Sequence, residues 1–391
     1  MPSPKKILPL ESCRGLAALV VLIHHSALAF APQFKIFASN HWYSFLINGT
    51  GAVFFFFVLS GFVLFKNGQP VGPATILKRY PRLALTAAIS TIISYVLYRQ
   101  GFYHNIEAAK ISNSYWLRDF LFVGKIHEHK IPALDAVTTG FTTFFTGVSY
   151  NYVLWTMRPE LLGSLLVFLT VPYVAKCASL TPKVVTFLAM VFFCMMSNNY
   201  LIPFVAGMFL ANEAAHLIPA RLSTAKGVLM LSTGLFLLGF TEFSGAFAFL
   251  RFVTWLDFGD ETRHVIAINT AGSCFVIYSA LRTDSIFNAL NRAIPVFLGR
   301  ISFSLYLLHN LVIASAGSWA FVHLAKYMEN PMLAFITSTA LVIAVTVPAA
   351  FLLTLLDEHW IRALNYAHLK IAQRFGSIGT GRSQESSATL S

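Results

Sequence analysis

The chain has 391 residues, of which 56% are hydrophobic and only 11% charged, with a formal net charge of +12 and a mean hydropathy of +0.66. Soluble chains carry about 25% charged residues to cover their surface, so a water-soluble globule is excluded and lipid is the solvent that most of this surface meets. The basic residues stand singly or in pairs between apolar runs, which excludes the clustered basic face of a nucleic-acid binder.

Lys5 and Lys6 precede the first apolar run, as in a secretory signal. Arg14 interrupts that run, and His24 and His25 stand where a small-residue cleavage site belongs, so a retained signal-anchor helix is expected. Crossing a hydrocarbon core takes about 20 mostly apolar residues. Ten windows qualify, near residues 7–31, 50–66, 82–98, 152–175, 182–197, 200–217, 226–243, 263–281, 294–324 and 332–356. Their apolar character is continuous rather than alternating, which predicts an all-α, polytopic transmembrane helical bundle and excludes a barrel.

An even helix number puts both termini on one side of the bilayer. With Arg14 and Arg158 set aside and those at or near span ends counted with their flanks, the 28 Lys and Arg residues divide seventeen to nine in favour of the N-terminal side. The positive-inside rule then predicts N-in and C-in. The membrane domain is expected over residues 1–360, with a long extracytoplasmic loop near 99–150 whose aromatic residues pack on the bundle. A cytoplasmic tail, 361–391, is expected to lose order after about Gly376. No hydropathy repeat is present, which weighs against a transporter or channel using the same buried charges. Cys13, Cys177, Cys194 and Cys274 have no metal or disulfide spacing, and His127 and His129 beside Glu128 lack a third ligand. No metal site is expected.

Ionisable side chains inside a span are costly and mark candidate sites. In the first window Arg14 and His25 are eleven residues apart, which at 100° per residue leaves them about 20° from one direction and roughly 16 Å apart along the axis. His24 points about 100° away. Glu11, three residues before Arg14, is a local partner that would make the arginine merely structural. At the mouth of the third window stands Lys78-Arg79-Tyr80-Pro81-Arg82. A helix starting at Pro81 would present a positive dipole end framed by Arg79 and Arg82, suited to phosphates; an ordinary positive-inside flank is the alternative. In the fourth window Trp155-Thr156-Met157-Arg158-Pro159-Glu160 places a carboxylate one to two turns in from the outer side. It would serve there to orient a histidine or a substrate hydroxyl, or only to neutralise Arg158. In the ninth, Gly299-Arg300-Ile301-Ser302 leads to Tyr306 and His309.

These segments resemble, in order and spacing, the membrane acyltransferase-3 family of polytopic O-acyltransferases. The segments are ESCRGLAALVVLIHH, AVFFFFVLSGFVL, RYPR, LWTMRPELLGSLLVF and FLGRISFSLYLLHN, spread over about residues 8 to 310. Arg158-Pro159 departs from the uncharged residues that relatives carry before the Glu. The resemblance implies His25 as general base or transient acyl carrier, with Arg14 and Glu160 in the catalytic set. It implies Arg79 and Arg82 on the phosphates of a cytoplasmic acyl-CoA, most simply acetyl-CoA, as donor substrate with no bound cofactor, and Trp155 and His309 in substrate binding. The implied acceptor is a hydroxyl of a carbohydrate, glycolipid or exopolysaccharide, arriving from outside near Glu160 and the long loop. The implied setting is a bacterial cytoplasmic membrane beside polysaccharide biosynthesis or export machinery. No hydrolase-like domain follows the bundle, so transfer is expected to be completed by the membrane domain or by a partner.

Overall fold

The computed structural model describes residues 7–385 apart from 35–40, 66–67, 120–132, 178, 217–220, 258–259, 261 and 329. His127, Glu128 and His129 lie outside the described residues, as does the end of the chain beyond 385. Sixteen helices follow in chain order among the described residues: α1 (Leu8–Phe30), α2 (Gly49–Leu64), α3 (Pro73–Leu77), α4 (Arg79–Arg99), α5 (Asn105–Ser112), α6 (Tyr115–Asp119), α7 (Ala133–Thr146) and α8 (Met157–Val174), then α9 (Leu180–Ser197), α10 (Ile202–His216), α11 (Thr224–Leu238), α12 (Arg263–Arg282), α13 (Asp284–Leu290), α14 (Ala293–Val312), α15 (Ser318–Tyr327) and α16 (Pro331–Glu385). The chain is a helical bundle, and each of the ten apolar windows holds a helix.

Among the described residues seven helical stretches are long and apolar enough to cross a bilayer, whereas α2 has 16 residues and α10 and α11 have 15 each. At 1.5 Å per residue a 16-residue helix covers about 24 Å, short of the hydrocarbon core by itself. The ninth window is interrupted by a π-helical turn at Ile313–Gly317 that joins α14 to α15. The expected helix start at Pro81 is corrected: α4 begins at Arg79, and Pro81 sits in its first turn. The missing N–H costs nothing there, because first-turn N–H groups have no intrahelical partner.

Two glycines set the position of α1 on α14. A Cβ on Gly15 would stand 2.3 Å from the backbone nitrogen of Gly299, and one on Gly299 would stand 2.3 Å from the carbonyl oxygen of Glu11. The two backbones touch, which in lipid substitutes close van der Waals packing for a hydrophobic drive that is absent there. The consequence appears ten residues further along each helix: His25 of α1 meets His309 of α14. The helices therefore run parallel in one register, and the glycine contact lies roughly 15 Å below the histidine contact. Gly207 of α10 does the same for α2, where its Cβ would fall 1.9 Å from the carbonyl oxygen of Val58. Gly299→Val is expected to force α1 and α14 apart, cost about 1–3 kcal/mol of overpacking and remove activity through the histidine pair. Thermal unfolding in detergent together with a transfer assay checks this; a variant with unaltered melting and activity would contradict the register argument.

The segment expected as an outer loop is folded onto the bundle. Ser112 and Ser114 donate hydroxyl hydrogen bonds to the carbonyl oxygens of Ala29 (2.8 Å) and Leu28 (2.6 Å), satisfying acceptors left open at the end of α1. α7 lies antiparallel along α4: a Cβ on Gly140 would stand 2.6 Å from Cα of Ala88, and Tyr80 near the start of α4 donates to the carbonyl oxygen of Phe141 at 2.8 Å. This part of the 99–150 segment thus runs beside a spanning helix, because its Ala136, Thr139, Gly140 and Thr143 face is small enough to pack closely.

Candidate active site

A cavity of about 250 Å³ is lined by Arg14 from α1, Arg79 and Arg82 from α4, Glu160 from α8, Tyr306 from α14 and Asp357 from α16. Helix geometry explains the gathering. α4 starts at Arg79, so Arg79 and Arg82 are three apart on one face of its first turn. Arg14 sits one turn above Leu10, which also lines the wall.

Arg79 is fully engaged. Its Nη2 lies 2.5 Å from Glu160 Oε1, and its Nε donates to Ser164 Oγ at 2.9 Å. Ser60 Oγ donates to the same Glu160 oxygen at 2.8 Å. With 9% and 14% of the two side chains exposed, this is a desolvated ion pair whose remaining valences are met by hydroxyls, the condition under which burying two charges is tolerated. The other cations are held more loosely. Arg14 reaches Glu11 only at 3.5 Å and is 35% exposed. The Arg82 guanidinium has no hydrogen-bonded or ion-paired partner among the described residues, while Thr86 donates to the Asp357 carboxylate at 2.6 Å. The arrangement offers two available guanidinium groups backed by a locked third.

The cavity ends at Thr156 and Tyr306. The Tyr306 hydroxyl donates to the carbonyl oxygen of Val153 at 2.9 Å and lies 3.0 Å from Thr156 Oγ1. Beyond it, 5.8 Å from the Tyr306 ring, lies His309, fully buried. His25 follows, with its Nδ1 2.7 Å from His309 Nε2. Trp116 covers one face of the His25 ring at 4.8 Å, and Tyr152 presents its edge at 6.4 Å. His24 turns elsewhere: its Nδ1 donates to the carbonyl oxygen of Ile47 at 2.7 Å, and its ring packs on Gly49 at the start of α2.

Of the residues singled out in the sequence, Arg14, Arg79, Arg82 and Glu160 share the cavity, and His25 and His309 form a pair beyond its inner end. Trp155 is not in the lining; it packs at 5.5 Å on Tyr200. The placement of Glu160 near the acceptor side is corrected, since it lies with Arg14 and Arg79, and its partner is Arg79 rather than the exposed Arg158. The physical reason is that a buried guanidinium requires a carboxylate within hydrogen-bonding reach, and α8 enters the bundle at the height of His25, where Tyr152 sits, before descending to Arg79. Tyr152 and Asp357 do not stand out in the sequence, while Trp116 reads there only as one of the loop aromatics that pack on the bundle and Ser60 only as a small packing residue of α2. Asp357 stands one residue beyond the last apolar window, where an ionisable group at the end of a span was the available signal.

Comparison with curated proteins and with solved structures returned no match. Comparison with family models matches residues 8–355 to family 3 of the acyltransferases, described as an acyltransferase domain. That range takes in both histidines and the cavity lining apart from Asp357, Glu358 and Ile361. The family assignment decides between an enzyme and a transporter with similar buried charges. The chain belongs to acyltransferase family 3 and is a polytopic membrane protein of that family.

Proposed function

We propose that the protein transfers an acyl group, most simply acetyl, from cytoplasmic acyl-CoA to a hydroxyl of a carbohydrate, glycolipid or exopolysaccharide at the opposite face of a bacterial cytoplasmic membrane. The observation that carries this reading is the line from cations to imidazole: Arg14 and Arg82 in the cavity, then Tyr306, then His309 and His25. The N-in, C-in topology read from the basic residues puts the arginine end on the cytoplasmic side, where acyl-CoA is found.

A cavity of about 250 Å³ is below the roughly 300–1,000 Å³ that encloses a drug-sized ligand, so it suits the acyl-pantetheine arm and leaves the nucleotide outside. Arg82, near the entrance, is placed for the phosphates, which a guanidinium binds in bidentate fashion. Arg14, in the same cavity, is assigned to the thioester end, and Arg79 holds Glu160 and the wall in place. The acyl carbon reaches His25 by passing Tyr306. As general base, His25 takes the hydroxyl proton while the oxygen attacks the thioester carbonyl; the carbon–sulfur bond breaks, and the proton passes to the departing thiolate. As acyl carrier, its imidazole nitrogen attacks the thioester carbonyl and the carbon–sulfur pair leaves with the thiolate; the acceptor oxygen then attacks the acyl-imidazole carbon, the carbon–nitrogen pair returns to the ring, and the hydroxyl proton ends on the thiolate. Trp116 and Tyr152 beside His25 offer ring surfaces of the kind that a sugar acceptor packs against.

Mass spectrometry of surface glycans from cells with and without this chain tests the acceptor class. The expected result is one or more carbohydrate species lighter by a single acyl group in its absence. Identical glycan profiles, with a mass change confined to another class of molecule, would overturn the carbohydrate acceptor.

A further inference from the structure

The contact between His25 and His309 has a definite hydrogen-bond direction. The two rings are within 7° of coplanar, and their centroids are 5.0 Å apart, which is the 2.7 Å nitrogen-to-nitrogen distance extended by two ring radii. The rings therefore meet edge to edge in one plane, with the bridging hydrogen on the line of the nitrogen lone pair, rather than stacking face to face. The other nitrogen of His309, Nδ1, faces the carbonyl oxygen of Leu305 one turn earlier in α14 at 3.3 Å. A carbonyl oxygen only accepts, so Nδ1 of His309 carries the hydrogen. A neutral imidazole carries one N–H, which leaves Nε2 of His309 bare and makes it the acceptor. The hydrogen between the rings then belongs to Nδ1 of His25.

Neutrality follows from the surroundings. His309 is fully buried, and the neighbours of the two rings are a backbone carbonyl, the aromatic rings of Trp116, Tyr152 and Tyr306, the His24 imidazole at 5.3 Å, and each other. No carboxylate is hydrogen-bonded to or ion-paired with either ring among the described residues, and an uncompensated imidazolium in a membrane interior is expensive. We infer that His309 is a positioning residue: it holds His25 as the Nδ1–H tautomer and so makes Nε2 the atom that receives the acceptor proton. The inference rests on the role proposed above for His25. The hydroxyl proton passes to Nε2, the freed oxygen pair forms the new bond to the thioester carbon, the carbon–sulfur pair leaves with sulfur, and the proton returns from Nε2 to the thiolate. The chain of donors ends at Leu305, whose carbonyl takes no proton, so the charge that develops stays on the histidine pair. The register set by Gly15 and Gly299 is what brings Nε2 of His309 to the required height.

Nitrogen NMR of the full-length protein with isotope-labelled histidine, assigned by subtracting the spectrum of His25→Gln, reads the tautomer directly. The wild type is expected to show His25 protonated at Nδ1 and bare at Nε2, the reverse of what an unconstrained histidine prefers in water. In His309→Leu the signal should move to the Nε2–H form, with kcat falling about a hundredfold, the scale of a misplaced catalytic group, and the donor KM unchanged. His309→Gln places an amide oxygen where Nε2 stood; it should keep the Nδ1–H form and stay within about tenfold of wild-type kcat. An Nε2–H tautomer in active wild-type protein, or folded Gln and Leu variants that lose activity equally, would overturn the inference. The Nδ1–H form in a protein that consumes no acyl-CoA would overturn the proposed function, and the base role with it, while the tautomer itself would stand.

Discussion

His25→Ala is expected to lower acyl transfer by about 10²–10⁴-fold, the usual contribution of a positioned general base, with insertion and folding retained. A lost acyl carrier would be at least as damaging. His24→Ala is expected to stay within about tenfold of wild type, although it is the neighbouring residue and the same side chain. The difference comes from the helix: one residue is a 100° turn, which points His25 at His309 and Trp116 and sends His24 to the carbonyl of Ile47. His24 ties the entry to α2, so its loss should appear as a modest fall in stability of about 1 kcal/mol for one hydrogen bond. Transfer rates normalised to folded protein, measured beside thermal unfolding, separate the two effects. Equal loss of activity in the two variants would remove the distinction between the faces of α1.

The two arginines of α4 should fail in different ways. Arg79→Gln removes one partner of the buried pair and leaves Glu160 uncompensated, a change that costs about 3–5 kcal/mol. Adding Glu160→Gln should restore part of that loss, because the stranded charge disappears, so the two substitutions should be far from additive. Arg82→Gln should leave unfolding nearly unchanged, since the Arg82 guanidinium has no hydrogen-bonded or ion-paired partner among the described residues. It should raise the donor KM roughly ten- to a hundredfold, the equivalent of about 1.5–3 kcal/mol for a lost charge-assisted contact, while the acceptor KM stays put. Thermal melting and donor titration on the three variants decide the matter. A destabilised Arg82→Gln with a normal donor KM would return Arg82 to the role of a positive flank that only sets topology.

The features legible in the sequence were those confined to one helix. The common face of Arg14 and His25 follows from eleven residues at 100° each, and the helical class follows from the continuous apolar windows. The proximity of Arg79 to Arg82 needs only a three-residue spacing. The partners were not legible, because they are set between helices. Local spacing offers Arg158 to Glu160, whereas the fold supplies Arg79, 81 positions away in the chain. His309 meets His25 across 284 positions through a register that Gly15 and Gly299 fix, and two glycines among 23 give no sign of being matched. The segment at 99–150 reads as polar and aromatic, but its Ser112, Ser114 and Trp116 find partners only once the end of α1 is in place.

Incubating the purified protein and its His25→Ala variant with radiolabelled acetyl-CoA and a surface-glycan extract tests the central claim, that a donor held by the arginines reacts at His25. Wild-type protein is expected to release free CoA and move label into the glycan fraction, and His25→Ala to bind the donor with a similar affinity but transfer no label. Equal transfer by the two proteins, or a wild-type protein that leaves acetyl-CoA intact while the longer-chain acyl-CoAs are also untouched, would contradict it.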